Sequence, residues 1–583
     1  MALYLDGWTK NWQLLSMFFT DHEISEIRAR LEAMQTRHVV FCSFENRFAK
    51  SGGLAAVTTR ILPHLSRLKG VENVFLLTPF YPLLCKHPEQ MHATGKSFVM
   101  RFGGKTIPVE ILKYTPPTKN NADTTQVEEY YLKAEGFFNS MNPLDDPYIY
   151  HPDNLDLNNE TIKESSLFFC HAAPLAVNAL GVREDIVFHL QEWQTAAISL
   201  TAKTAMVKGV LSSAGTIQTL HNPFDCFLSL DDLKKIMETK QFKRYNKHHS
   251  SGLTAYQLGL QLVDAPITTV SKSIALEFVS DIFQTHHFAS HLQEIFKHNG
   301  VYGINNGLFL DILPEYVAAE SSPDYMATIK KIKGEKRRAL LEFLVGDKAQ
   351  HHIGELTYKD KPLDMDFPEE IPILIMSGRL DPVQKGFDVL LRAIEKFGKD
   401  EIKVILTPMP VKDSDLNFFK KVANRSHGCV TVFPNRIENV NYQKLQTGST
   451  FGVMPSIFEP FGAAIEYMAS GTLTIARSTG GLKDQIDNDD CGFLFREDTF
   501  NYCWENIHTY IHTSQYVEAR DENTWVINMV DRLFHAITKA AEIYRLQPDI
   551  YYNMIAAGFK KARSFDWDTS AAEYLQVYQK ING

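Results

Sequence analysis

The sequence predicts an α/β protein made of two doubly wound parallel-sheet domains in series. Three observations point there: the length, two separate runs of alternating strand and helix patterns, and a polar, proline-punctuated stretch between them. At 583 residues the chain exceeds what one ordinary core encloses, and 44% hydrophobic with 22% charged residues is ordinary globular composition.

Residues 1–36 read as an N-terminal extension. After Thr20, an N-cap residue type, apolar side chains recur at Ile24, Ile27, Leu31 and Met34, a helical period that predicts a surface helix. The first alternating run occupies 37–325. HVVFCSF (38–44), NVFLLTPF (73–80), DIVFHL (185–190), GTIQTL (215–220) and PITTVS (266–271) are short β-rich segments, each followed by a helical stretch. Residues 326–366 turn polar and helical and then carry the prolines of KPLDMDFPEEIP, as a domain linker does. The alternation restarts within 367–560, where IPILIMSG, IKVILTP, CVTVFP, TFGVMPS and TLTIARS are further strands. Residues 561–583 close the chain with a helical segment whose Trp567 reads as packing. Paired domains of this kind bind ligands at the carboxyl ends of their strands.

Composition excludes several classes. The formal net charge is −9 and no Lys/Arg block is long enough to follow a phosphate backbone, so nucleic acid is not an expected partner. The seven cysteines show no CxxC spacing, which predicts reduced thiols in the cytoplasm rather than disulfides or a zinc site. No apolar run approaches membrane-spanning length, and Asp6 stands where a signal peptide needs basic residues. No membrane span is expected; secretion as an effector without a signal peptide stays open.

Several short stretches carry chemistry. Lys50-Ser51-Gly52-Gly53-Leu54 follows the first strand and opens a helix, where backbone amides and the helix dipole favour an anion and two glycines allow its close approach. On these residues alone an ordinary glycine-rich turn reads the same way. In the second half, Arg379 and Lys385 stand at the carboxyl end of IPILIMSG, a fork and a point charge for one diphosphate. Glu459 and Glu466 are seven residues apart, close to two helical turns, and share a face if a helix begins near 461. Thr479-Gly480-Gly481 repeats the strand, Gly-Gly, helix device. His189 and Gln191 end one strand, and His221 and Asn222 follow another, at carboxyl ends facing the expected cleft. Asp153-Asn154 reads as a turn or helix cap, or as an acceptor-side segment.

Together these stretches resemble the glycogen and starch synthase family of retaining GT-B glycosyltransferases, which move glucose from a nucleotide diphosphate sugar to the end of an α-glucan. KSGGL, SGRLDPVQKGFDVLL, PSIFEPFG and TGGLKDQI resemble the family's signatures. TLHNPF (219–224), VDAPITTVSKSIALEF (263–278), INNGLFLDILP (304–314) and SFDWDTSAAEYLQVY (564–578) echo it more weakly, in the family's order.

The resemblance implies two Rossmann-like domains facing a cleft, the first on the acceptor side and the second binding the nucleotide sugar, with the helix over 561–583 packing back on the first. It implies that Arg379 and Lys385 neutralise the departing diphosphate in place of a metal ion. Glu459 would contact the sugar hydroxyls, the amides around Phe461, Gly462 and Ala463 the distal phosphate, and Glu466 the ribose. Thr479, Gly480 and Gly481 would also lie at the donor. Lys50, Gly52 and Gly53 would reach the diphosphate from the other domain, with cleft closure assembling the site. His189, Gln191, His221, Asn222 and Asn306 would line the cleft. No cofactor or metal is implied, the nucleotide sugar being a substrate, and no protein nucleophile, because departure and attack share one face of the sugar.

The sequence departs from the family in three places. Gln191 stands where relatives commonly carry a histidine; glutamine keeps a donor and an acceptor but does not titrate. Ile457 replaces a usual arginine, and residues 1–36 are added. These departures leave room for a glycogen-synthase-like effector that modifies a protein or another acceptor, or for a nucleotide- or glucan-binding protein without activity. ADP-glucose and UDP-glucose share their diphosphate contacts, so the base is open.

Overall fold

The computed structural model describes residues 5–50, 52–82, 84–85, 88–115, 127–138, 160–346, 352–409, 416–426, 428–434, 439–498, 504–513 and 520–582. The Asp153-Asn154 turn lies outside them. The chain forms two compact units, Met1–Phe309 with Asp566–Gly583, and Leu310–Phe565.

Unit 1 begins with the predicted N-terminal helix, α1 (Asp21–Glu32), which starts on a reciprocal cap: Thr20 Oγ1 accepts from the Glu23 amide while the Glu23 carboxylate accepts from the Thr20 amide. The extension is more than an added surface helix. Leu15, Phe18, Phe19, Ile27, Leu31 and Met34 are buried members of the unit's main core. Trp8 Nε1 donates to Asn299 O, and Lys10 shares the buried Asp264 carboxylate with Lys203.

Nine strands follow: β1 (His38–Cys42), with α2 (Gly53–Leu65) after it, β2 (Asn73–Pro79), β3 (Met91–Phe102), β4 (Lys105–Tyr114), β5 (Val127–Lys133), β6 (Ile186–Gln191), β7 (Ala214–Leu220), β8 (Ile267–Thr269) and β9 (Val301–Gly303). They lie in the order β9-β8-β7-β6-β1-β2-β5-β4-β3. From β9 to β5 the pairing is parallel; β4 and β3 add antiparallel at one edge. The chain builds outward from β1 through β2 and then returns to β6 on the other side. That reversal puts a topological switch point at the carboxyl ends of β1 and β6.

Unit 2 starts earlier than the sequence suggests, at Leu310, and the expected linker over 326–366 is not one. Its polar stretch is α3 (Tyr325–Val345), which buries Ile329, Ile332, Leu340 and Leu341. Two of the cations that make it look solvated are buried too: Lys333 Nζ donates to Thr447 O, Ser449 O and Thr472 Oγ1, and Arg337 Nη2 to Pro368 O and Ile371 O. A six-stranded parallel sheet follows, from β10 (Ile373–Arg379), β11 (Lys403–Met409), β12 (Val430–Val432), β13 (Phe451–Met454), β14 (Leu473–Arg477) and β15 (Gly492–Phe495). Its order is β12-β11-β10-β13-β14-β15, so the switch point lies between β10 and β13. The helices that position the site are α4 (Phe387–Ile394), α5 (Asn439–Gly448), α6 (Ala464–Ala469) and α7 (Leu482–Gln485); α8 (Thr524–Leu546) and α9 (Pro548–Arg563) come later.

The last helix, α10 (Trp567–Tyr578), belongs to unit 1. Because α9 runs to Arg563, this return begins at Asp566 rather than 561. Trp567 packs as predicted, with Nε1 donating to Leu308 O at 2.9 Å. Among the described residues no helix is long and apolar enough to cross a membrane.

Candidate active site

In unit 2 the switch point gathers three of the predicted residues. Arg379 is the last residue of β10, and a loop over 380–386 brings Lys385 back alongside Gly378, where a Cβ would meet the lysine stem at 3.9 Å. Glu459 lies on the loop after β13, five residues ahead of α6, so it does not share a helix face with Glu466. Its Oε2 accepts from Lys385 Nζ at 2.7 Å and from Ser456 Oγ at 3.0 Å, and the residue is 6% exposed. A backbone bond from Ile457 N to Gln384 O at 2.7 Å ties the two loops together. Ser456, not singled out in the sequence, orients the carboxylate; its signal was its place in PSIFEP.

Glu466 is buried on α6. The first two amides of that helix, Ala464 and Ile465, donate to Gln485 Oε1, so a phosphate there would have to meet the preceding loop at Phe461, Gly462 and Ala463. The second glycine pair does not repeat the anion device. Gly480 has φ +47° and a Cβ there would overlap Glu459 O; one on Gly481 would overlap Phe461 O. Gly481 N donates to Glu459 O at 2.9 Å, and Thr479 Oγ1 faces Ile457 O. These three residues brace the loop that carries Glu459.

At the unit 1 switch point the KSGGL stretch also differs from expectation. Two amides at the start of α2 are taken internally, since Gly52 N and Ala55 N donate to the Glu45 carboxylate at 2.9 and 3.2 Å. Glu45 lies seven residues before Gly52, without a spacing pattern that marks it as a cap. Neither Gly52 nor Gly53 needs a positive φ, and a Cβ on Gly53 would meet nothing within 4 Å. Packing does not demand the pair, and Lys50 beside it is exposed.

Gln191 and His221 come together at the ends of β6 and β7, with Gln191 Oε1 2.8 Å from His221 Nε2. Burial pushes the His221 imidazole down to about 3, so the neutral ring carries its proton on Nε2 towards that oxygen. Gln191 is 1% exposed, and its Nε2 has no hydrogen-bond partner among the described residues. The next residue, Glu192, has φ +63°, uncommon for a residue with a side chain. Its carboxylate accepts from the His221 amide at 2.6 Å and from Tyr256 Oη at 3.3 Å. Burial, with Glu45 adding to it, pushes this carboxyl up to about 8 against the pull of those donors.

The other predicted residues do different work. His189 is fully buried, bonded through Nδ1 to Tyr578 Oη and through Nε2 to Thr219 Oγ1, so it holds α10 against the sheet instead of lining a cleft. Burial keeps it neutral. Asn222 Oδ1 closes a local turn by accepting from Phe224 N. Asn306 is buried, its amide bonded to Val270 O. Among the described residues no group of three or more His, Cys, Asp or Glu is placed to hold a metal ion.

Known proteins resemble the chain over most of its length. The starch synthase catalytic domain family matches residues 38–298, and glycosyl transferases group 1 matches residues 360–524. Each half of the chain thus matches a glycosyltransferase family, the first that of starch synthase catalytic domains. It is 25% identical to a glycogen synthase from Pseudothermotoga lettingae, over 91% of this chain and 96% of that one. It is 24% identical to a glycogen synthase from Lactococcus lactis, over 93% and 100%. The catalytic domain of starch synthase IV from Arabidopsis thaliana, solved bound to ADP and acarbose, superposes with a TM-score of 0.68 at 18% identity, covering 94% of this chain and all of that one. The chain is therefore a glycosyltransferase of the GT-B fold, with two Rossmann-like domains. Against the family's usual arginine, Ile457 is fully buried and acts through its backbone, donating to Gln384 O and accepting from Arg477 Nη1 at 2.6 Å.

Proposed function

We propose that the protein transfers glucose, with retention, from ADP-glucose or UDP-glucose to the end of an α-1,4-glucan. The observation that carries this reading is the meeting of Lys385, Arg379 and Glu459 at the unit 2 switch point, where an open α/β sheet holds its ligand. The bond that breaks joins the anomeric carbon to the diphosphate, and the charge that develops sits on phosphate oxygens. Arg379 and Lys385 stabilise that charge. Glu459 takes sugar hydroxyls, and the loop at Phe461, Gly462 and Ala463 with Glu466 meets the distal phosphate and ribose. An acceptor hydroxyl attacks the face the diphosphate leaves, and its proton passes to the departing phosphate oxygen, so no protein nucleophile and no cofactor enters. Gln191 offers an amide N–H to a sugar hydroxyl, a role that needs no titration.

The alternatives, a protein acceptor or a binding protein without activity, are not favoured. Relatives named glycogen synthase align over more than nine-tenths of both chains. Placement in the cytoplasm draws support from the scatter of the seven cysteines, none of them in CxxC spacing. The test supplies labelled ADP-glucose and UDP-glucose with and without glycogen. Label should enter glycogen from one donor, and Arg379→Ala should reduce the rate by about 10²-fold or more. Unchanged transfer by Arg379→Ala would remove the diphosphate assignment.

A further inference from the structure

The loop between Arg379 and Lys385 is held by a buried cation from a distant part of unit 2. Arg520 is 1% exposed. Its Nη1 donates to Pro382 O at 2.9 Å and pairs with Asp388 Oδ2 at 3.2 Å, contacts that fall on either side of Lys385. Its Nη2 donates to Tyr510 O at 3.1 Å and Thr513 O at 2.9 Å, and the guanidinium lies 3.9 Å from the Tyr510 ring centroid. Asp388, fully buried in the first turn of α4, also accepts from Tyr510 Oη at 3.1 Å and Arg392 Nη1 at 3.3 Å.

The loop so held has little slack. Lys385 N donates to Asp381 O, Asp381 Oδ1 accepts from Val383 N and Gln384 N, and Gly386 sits at φ +69° where a Cβ would overlap Pro455 O. A planar guanidinium reaches four acceptors at fixed angles; an ammonium on a flexible stem does not. A buried ion pair is also a poor device for stability alone, because apolar residues of the same volume often do as well.

We propose that Arg520 is a positioning residue for glucosyl transfer, fixing Lys385 opposite the leaving diphosphate by gripping Pro382 O and Asp388 together. This rests on the reading of Lys385 as a diphosphate-binding cation. Loosening the grip displaces Lys385 without removing it, and small misplacements of a catalytic group are costly.

The experiment is a double-mutant cycle on the full chain with Arg520→Lys and Lys385→Ala, reading kcat for labelled-glucose transfer alongside the melting temperature. Arg520→Lys is expected to melt within a few degrees of the parent and to lose about 10-fold or more in kcat. In the Lys385→Ala background the same change is expected to cost nothing further, which a purely structural role would not produce. Should Arg520→Lys fail to fold, Asp388→Asn, which keeps the shape and removes the ion pair, takes its place in the cycle. A folded variant with kcat within two-fold of the parent, or a loss that multiplies with that of Lys385→Ala, overturns the proposal. If Lys385→Ala itself transfers normally, the diphosphate reading fails instead.

Discussion

Lys385 Nζ lies 2.7 Å from Glu459 Oε2, so the cation we propose for the phosphate is paired with the carboxylate we propose for the sugar. Glu459→Gln should separate the two tasks. Transfer should fall by about 10²-fold, measured as initial rates with labelled donor. Affinity for the bare nucleoside diphosphate should hold or rise, because Lys385 no longer shares its charge with a carboxylate; calorimetric titration reads this directly. Weaker diphosphate binding by this variant would contradict the pairing.

The two glycine pairs should behave oppositely. Gly53→Ala adds a methyl that meets no protein atom within 4 Å, at a position that alanine favours in a helix. Its melting temperature should be unchanged or slightly higher. Gly480→Ala forces a side chain into φ +47° and against Glu459 O. It should destabilise unit 2 by about 1–3 kcal/mol and reduce kcat with it, as seen by denaturant titration and rate measurement together.

Glu192 predicts a pH dependence. Folded, it keeps its proton to about 8; unfolded, a glutamate releases it near 4.3. Between those values the folded state binds more protons, so the group's contribution to stability is full at the acid end and is lost as pH rises towards 8. Glu192→Gln removes this titration and preserves the shape. Its stability relative to the parent should therefore rise steadily from about pH 5 to pH 8. Denaturation midpoints at several pH values check the slope, and parallel curves would refute it.

His189→Phe keeps a ring against Phe41 and Tyr574 while removing both hydrogen bonds. The Tyr578 hydroxyl loses this partner in a dry interior, so unit 1 should lose about 1–3 kcal/mol. Thermal melting of the full chain should show an earlier transition for unit 1 with that of unit 2 in place.

Much of the fold is legible in the sequence because strands buried on both faces appear as short apolar runs; IVFHLQ and ILIMSGR are examples. The antiparallel strands β3 and β4 escape notice because their exposed residues include lysines and a threonine that look like loop. Among site residues, Arg379, Lys385 and Glu459 stand out because their loops follow strands directly. Glu45, Ser456 and Arg520 do not, since each acts through a contact fixed by the folded chain and not by local spacing. His189 misleads for a related reason: a histidine at a strand's end looks catalytic until the tyrosine from α10 is seen beside it.

The bond from His189 to Tyr578 also bears on synthesis. Trp567, Ala571, Tyr574, Val577, Tyr578 and Ile581 belong to the core of unit 1, yet the ribosome makes them only after the whole of unit 2. While Leu310–Phe565 is being translated, on the order of tens of seconds, the emerging first unit stands with an apolar groove uncovered. The nascent chain therefore has a defined interval in which a chaperone has a surface to hold, and that interval ends when α10 leaves the exit tunnel.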